Sequence, residues 1–197
     1  MPAKLRVLVA CEFSGIVREE FRKRGHDAWS CDIVPSEQPG PHHLGTIFDR
    51  AFIRRGWDIL IAHWDCTFLA GSGARWFKED AWREEAMLMS LHAIKALWAF
   101  PIRKKCLENP IGRLSTLWMK PTQIIQPWMF GEPETKATCL WLDGLPKLIP
   151  TNIVAGRNHS VHHAPPGPTR KADRSRTFAG IAAAMAEQWG GNANDHP

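Results

Sequence analysis

The segment from Leu5 to Ile33 constrains the fold more than any other part of the chain. Leu5 to Val9 has strand character, Cys11-Glu12-Phe13-Ser14-Gly15 makes a turn, and Ile16 to Arg24 carries Val17 and Phe21 on one helical face before Gly25 stops it. Ala28 to Ile33 predicts a second strand with Asp32 near its end. Strand, glycine turn, helix, strand and terminal acid form the mononucleotide-binding half of a doubly wound α/β fold. The turn holds one glycine and lacks GxGxxG, which suits a nucleoside-type cofactor without pyrophosphate better than a dinucleotide. A carboxylate at the end of the second strand can accept both hydroxyls of a ribose; capping a turn is its alternative use.

The stretch Trp57 to Trp76 supplies the chemistry. Ile59-Leu60-Ile61-Ala62 is a short unbroken apolar run, the pattern of a strand buried on both faces of a parallel sheet. Apolar character stops at His63, and Trp64-Asp65-Cys66-Thr67 follows at the carboxyl end, the edge where open α/β sheets bind ligands. Gly71, Ser72 and Gly73 then read as a flexible loop of the kind that closes over a substrate. Cys66 is a nucleophile candidate on this loop; a half-buried structural thiol is the alternative. Lys105-Cys106-Leu107 predicts a further buried strand, with Glu108-Asn109-Pro110 at its end facing the same edge.

The 197 residues suit one domain with a core large enough to need no staples. No apolar segment approaches the ~20 residues of a membrane span, and the amino terminus runs straight into a strand, so a cytoplasmic protein is expected. The five cysteines are scattered without a CxxC pair, which argues against a disulfide framework and a zinc ribbon. His159, His162 and His163 are close in sequence, but no carboxylate or cysteine spacing supports a metal site. A net charge of +5 fits a polyanionic partner without requiring one. Of the ten tryptophans, those in polar loops can stack on bases, although packing is the commoner use.

Elsewhere, Val34 to His43 reads as loop and Gly45 to Asp49 as a short element. Glu79 to Phe100 is the longest predicted helix, with Ala86, Met89, Ala93 and Leu97 at helical spacing and Pro101 beyond its end. Pro121 to Pro150 is proline-rich with one strand-like run, Ala137 to Leu142. Gly156 to Arg170 is loop. Arg170, Lys171, Arg174 and Arg176 form a basic cluster, open to phosphate binding or to simple solvation, and Gly180 to Trp189 is an alanine-rich final helix.

Taken in order, these parts resemble the DNA (cytosine carbon-5) methyltransferases, in particular the short single-domain phage and prophage type. Phe13-Ser14-Gly15 is similar to the motif lying against the methionine part of S-adenosylmethionine, and Asp32 to the acid on the cofactor's ribose. Cys66 matches the nucleophile of a Pro-Pro-Cys motif, and Glu108-Asn109-Pro110 is similar to Glu-Asn-Val. The segment from Arg174-Ser175-Arg176-Thr177 to Trp189 is similar to the family's carboxyl-terminal part. The resemblance implies an S-adenosylmethionine-dependent methyltransferase fold. It places Phe13, Ser14, Gly15, Asp32, Ile33, Thr46, Ile47, His63 and Gly180 at the cofactor, and Cys66, Glu108, Asn109, Arg174 and Arg176 at the reacting base. It implies DNA as partner, with RNA or a free nucleotide as alternatives. The chemistry matches the residue types: a thiolate adding to carbon 6 makes carbon 5 nucleophilic, and a glutamate at nitrogen 3 stabilises the charge that develops.

Three features depart from the family. Trp64 and Asp65 replace its two prolines, and an aspartate beside the thiol disfavours the thiolate. Thr46 stands where an acid contacts adenine, with Asp49 as an alternative. Thr151 to Lys171 is too short for a target-recognition domain, so duplex readout needs a partner, a dimer or a less selective mode. A catalytically silent nucleic-acid or partner-binding module is therefore a rival expectation.

Overall fold

A computed structural model describes residues 4–71, 81–163, 165, 167–168 and 170–191. Strand β1 (Arg6–Ala10) is the centre of the molecule: Val7 to Ala10 are wholly buried, as their unbroken apolar sequence requires. It is flanked in parallel by β2 (Asp27–Asp32) and β4 (Ile59–His63). Outside β2 lies β3 (His42–Leu44), and outside β4 lies β5 (Lys104–Pro110), both parallel. Strand β7 (Thr138–Asp143) then runs antiparallel to β5, and the short β6 (Gln123–Ile125) antiparallel to β7. The seven-stranded order is β3-β2-β1-β4-β5-β7-β6, a doubly wound arrangement with an antiparallel hairpin on one edge. Strand order reverses between β1 and β4, so the crevice of an open sheet falls at their carboxyl ends.

Alternation along the strands divides the core into two layers. Val7, Val9, Ile59 and Ile61 face helix α1 (Ile16–Lys23) through Val17 and Phe21, and helix α7 (Ala179–Gly190) through Ile181, Met185 and Trp189. Leu8, Ala10, Leu60 and Ala62 face the other way, onto Phe52 of α2 (Arg50–Ile53) and onto α3 (Ala81–Trp98). Each fully buried aliphatic or aromatic side chain stabilises by about 1.5–3 kcal/mol, so both layers are needed. Among the described residues, no helix is long and apolar enough to cross a membrane.

Several sequence expectations shift. In α3 the core face is Met87, Leu91, Ile94 and Leu97, whereas Met89, expected inside, is 66% exposed. Polar and apolar residues are mixed around this helix, so spacing alone does not select its face. Its expected start at Glu79 lies outside the described residues, as do Ser72 and Gly73 of the predicted loop. Strand β3 begins inside the expected Val34–His43 loop, and β6 lies in the proline-rich stretch outside its one strand-like run; both are three-residue edge strands with no alternation to detect. Gly45 to Asp49 is a turn whose Asp49 carboxylate caps α2, accepting from the Ala51 and Phe52 N–H groups. Two short helices also emerge from predicted loop or cluster: α5 (Ser160–His163) and α6 (Arg170–Ser175), while α4 (Leu114–Leu117) follows β5.

Candidate active site

The carboxyl end of β1 is a strained turn. Cys11 has φ of 56°, the only non-glycine residue with positive φ among those described. Such a left-handed conformation costs roughly 1–2 kcal/mol and is characteristic of ligand-binding turns. Glu12, which the sequence reading passed over, turns back beneath α1: its carboxylate accepts from the Val17 N–H at 2.7 Å and the Arg18 N–H at 3.3 Å. Ser14, itself buried, donates to the same carboxylate at 3.4 Å. Burial pushes the Glu12 carboxyl up, and nearby His63, the two backbone donors and Arg18 only partly offset this. The amino terminus of α1, the usual seat of a phosphate, is thus filled by the protein's own acid. Gly15, at φ 73°, lies where a Cβ would press on the Arg18 guanidinium and on Gln38.

Arg18 has no exposed side-chain surface. Its guanidinium donates to Glu19 (2.8 Å), Ser30 (2.8 Å), Ser36 (3.1 Å) and the carbonyls of Gln38 and Pro39 (3.0 and 3.1 Å). It thereby ties α1 and β2 to the loop after β2. Ser30 also bonds His42 Nδ1 at 2.8 Å, and His42 Nε2 lies 3.0 Å from the Val34 carbonyl, which the imidazole N–H reaches. The chain beyond Asp32 is therefore held from beneath. Asp32 is half-buried at the end of β2, accepts from the Val34 N–H at 3.2 Å, and is pushed up chiefly by burial. Ile33 is 78% exposed at this edge.

On the other side of the crevice, His63 pairs with Glu108 in the sheet register. His63 Nδ1 lies 3.1 Å from Glu108 Oε2, and an ionised carboxylate only accepts, so Nδ1 carries the proton. Burial pushes the Glu108 carboxyl up, but the His63 hydrogen bond, the His63 charge and the Lys136 ammonium outweigh it and hold it below the usual range. Asn109, nearly fully buried, donates from Nδ2 to the Trp64 carbonyl at 2.8 Å and so fastens the Cys66 loop to β5. Two buried atoms here have no protein partner, His63 Nε2 and Asn109 Oδ1. Leu69 and Ala70 both donate to the Cys66 carbonyl, which closes the loop into a tight turn.

Cys66 is half-buried. Burial, then the Asp65 and Glu108 charges, push its thiol up, and Lys136 pulls it down. Cys11 and Cys31 are pushed to about 12, first by burial and then by the Asp32 charge. Burial also raises Cys106 and Cys139.

The remaining expected residues divide. Thr46 is exposed and its hydroxyl accepts from the Phe48 N–H at 3.3 Å. Asp49, its alternative, is occupied as the α2 cap and lies 3.4 Å from His43. The Ile47 side chain is packed in the core, leaving only its backbone to the edge. Gly180 donates its N–H to Glu132 at 2.7 Å, and a side chain there would collide with the Phe130 carbonyl; its lack of a Cβ lets α7 approach that turn. Arg176 is not free for phosphate. It grips Glu37 through two nitrogens, at 2.9 and 2.5 Å, and Asp173 at 2.6 Å, and lies over Phe13 at 5.9 Å. Lys171 pairs with Asp65 at 2.9 Å. The basic cluster thus straps α6 across the loops after β2 and β4. The Arg174 carbonyl accepts from Lys136 at 2.8 Å. His159 bonds the Thr135 hydroxyl at 2.7 Å, and no group of three potential metal ligands converges among the described residues.

No protein-family model matches this sequence, and comparison with curated proteins finds no match.

Proposed function

We propose that this chain is an S-adenosylmethionine-dependent methyltransferase that acts at carbon 5 of cytosine in DNA, with Cys66 as nucleophile and Glu108 as the stabilising acid. The observation that carries the reading is the juxtaposition at the crevice: the Asn109–Trp64 bond fastens the cysteine loop to the strand that bears Glu108. The nucleoside side fits the same cofactor. Asp32 offers a carboxylate to ribose hydroxyls, Ile33 offers an exposed apolar face to adenine, and Phe13-Ser14-Gly15 lines the strained turn. Glu12 fills the helix terminus, which supports a cofactor without phosphate.

S-adenosylmethionine, when bound, supplies the electrophilic methyl group for carbon 5. The Cys66 sulfur adds to carbon 6 of the ring, which places electron density on carbon 5. Thiolate addition puts negative charge on nitrogen 3, so Glu108 acts there as the protonated acid, and the bound ring must outweigh His63 and Lys136, which hold the carboxyl low before a base enters. After transfer the carbon-5 proton leaves to water, the sulfur–carbon bond breaks, and the Cys66 thiolate returns. A base within a duplex must be flipped out to reach such a crevice.

DNA carrying 5-fluorocytosine tests this. With fluorine at carbon 5 no proton can leave, so wild-type protein is trapped as a covalent adduct and Cys66→Ser is not. Binding of S-adenosylmethionine without any adduct would instead favour the silent binding module. A nucleotide or RNA substrate is the second reading. It is favoured by the pairing of Lys171 and Arg176 with Asp65 and Glu37, which withdraws both cations from a duplex backbone. Labelled methyl transfer to DNA, RNA and nucleotides side by side separates the two.

A further inference from the structure

The last rung between β4 and β5 pairs His63 with Glu108. Partners in parallel register stand on the same side of the sheet, about 4.8 Å apart, here the side that also carries Ile61 and Cys106 toward α7. Only 8% and 16% of the two side chains is exposed, so water competes little for the 3.1 Å bond from His63 Nδ1 to Glu108 Oε2. The other ring nitrogen, Nε2, is buried without a protein partner, so this bond alone sets where the imidazole proton sits. The two oxygens of Glu108 are thereby made unlike. Oε2 is occupied by the imidazole proton. Oε1 receives no hydrogen bond from any described residue, while Glu108 lines a narrow cleft with Lys136, Thr138, Thr177 and Phe178.

We propose that His63 is a positioning residue for the acid: its Nδ1–H, held on Oε2, turns Oε1 to the cleft and leaves that oxygen alone to carry the acid's proton. The inference rests on the reading of Glu108 as the acid at nitrogen 3 of the ring. One imidazole proton suits both of the acid's states. Before a base enters, Nδ1–H donates to the carboxylate. Once Oε1 has taken a proton from solvent, the same N–H donates to the carbonyl oxygen of the acid, and neither partner moves. The O–H at Oε1 then donates to the ring nitrogen as thiolate addition builds charge there. Without the imidazole the carboxyl would turn about its own single bonds, and its proton could sit on either oxygen. A lysine or arginine at this position would bring a permanent charge and hold the carboxyl ionised, the state that has no proton to donate. Asparagine is the nearest uncharged donor: its amide nitrogen stands where Nδ1 stands, whereas that of glutamine stands where Nε2 does.

The test uses the full chain with S-adenosylmethionine and DNA carrying 5-fluorocytosine, and reads the rate of adduct formation at saturating DNA. His63→Leu should slow it roughly 10²-fold, the order that misplacing a working group by about 1 Å costs, with the DNA concentration at half-maximal rate unchanged. His63→Asn, which keeps a donor against Oε2, should recover most of the rate, and His63→Gln should not. In the Glu108→Gln background His63→Leu should cost little more, because the acid it positions is already gone. A glutamine variant as fast as asparagine overturns the proposal. Unfolding of both the leucine and the asparagine variants makes His63 structural and overturns it too. Nitrogen-15 spectra of the imidazole, assigned by the signals lost in His63→Asn, give a readout apart from activity. The wild type should show a protonated Nδ1 and a bare Nε2, and the opposite tautomer overturns the proposal. If the expected tautomer is found but 5-fluorocytosine DNA is never trapped, the methyltransferase reading fails and the role of His63 toward the base falls with it. Trapping with equal losses in the two backgrounds leaves Cys66 and Glu108 in place and removes only His63.

Discussion

Arg18 and Glu108 are both charged and largely withdrawn from water, with 0% and 16% of their side-chain surface exposed, yet their surroundings differ. Every direction around the Arg18 guanidinium ends in an acceptor, from Glu19 to the Pro39 carbonyl. Around Glu108, His63 Nε2 and Asn109 Oδ1 are buried with no protein partner, and a nucleophile candidate stands nearby. A saturated buried network stiffens a scaffold, whereas one with unspent polar atoms is where a ligand finds partners. The half of the crevice at β1 and β2 is built the first way and the half at β4 and β5 the second.

The largest expected effect falls on the saturated side. Arg18→Met should destabilise the fold by about 3–5 kcal/mol, because it strands buried acceptors and frees the loop after β2. Urea denaturation measures this, and a loss below ~1 kcal/mol would break the comparison. Glu108→Gln should do the opposite. Folding stability should change little, while the rate of 5-fluorocytosine adduct formation falls by ~10²–10³, the usual cost of losing a preorganised stabilising group. Next comes Asp32→Ala. Calorimetry should show S-adenosylmethionine affinity weakened by ~1–3 kcal/mol with the melting temperature almost unchanged, since the Asp32 carboxylate accepts from the Ile33 and Val34 N–H groups of its own turn at the edge.

That contrast also explains what was legible in the sequence. The opening unit from Leu5 to Asp32 and the strand Ile59–Ala62 could be read because buried parallel strands and an amphipathic helix write their burial into unbroken or periodic apolar runs. Asp32, Cys66 and Glu108 could be placed at one edge because the doubly wound order puts the carboxyl ends of its parallel strands there. The tethers between them could not. Nothing local marks Asn109 as the holder of Trp64, or Glu12 as the cap of α1, because each bond depends on a side-chain direction fixed only by packing. The pairing within the basic cluster is hidden for the same reason. Arg176 and Lys171 are cations in the sequence, but their partners Glu37 and Asp65 lie 139 and 106 residues away. Charge composition reports how many cations exist and not which are already paired.

Asp65→Asn sharpens the comparison at the thiol itself. Burial is the first cause of the raised Cys66 thiol and the Asp65 charge only the second, so removing the charge lowers the thiol without restoring its ordinary acidity. Alkylation and adduct formation should both become faster at neutral pH, by several-fold rather than by orders of magnitude, and the pH–rate profile should keep its alkaline rise. A profile that becomes flat at neutral pH would mean that Asp65, not burial, dominates.

The smallest effect belongs to the strap. Lys171 and Asp65 are 74% and 55% exposed, so solvent screening keeps their pair below ~1 kcal/mol, and Lys171→Ala should barely alter global stability. Its signature lies in acid. The hydrogen bonds to Arg176 hold Glu37 below the usual range; burial pushes Asp65 up, but bonds from Thr67 and Lys171 outweigh it and leave it depressed. A carboxyl depressed in the folded state contributes stability above its unfolded value, near pH ~4, and loses it as pH falls through the folded value. The strap should therefore stay docked at neutral pH and release only in acid. Lys171→Ala removes one cause of the depression of Asp65, so release should begin at higher pH than in the wild type. Hydrogen exchange of the α6 amides at a series of pH values measures this directly. If α6 exchanges equally in both proteins at every pH, the Lys171–Asp65 pair does not hold the strap, and docking depends on other contacts, those of Arg176 among them.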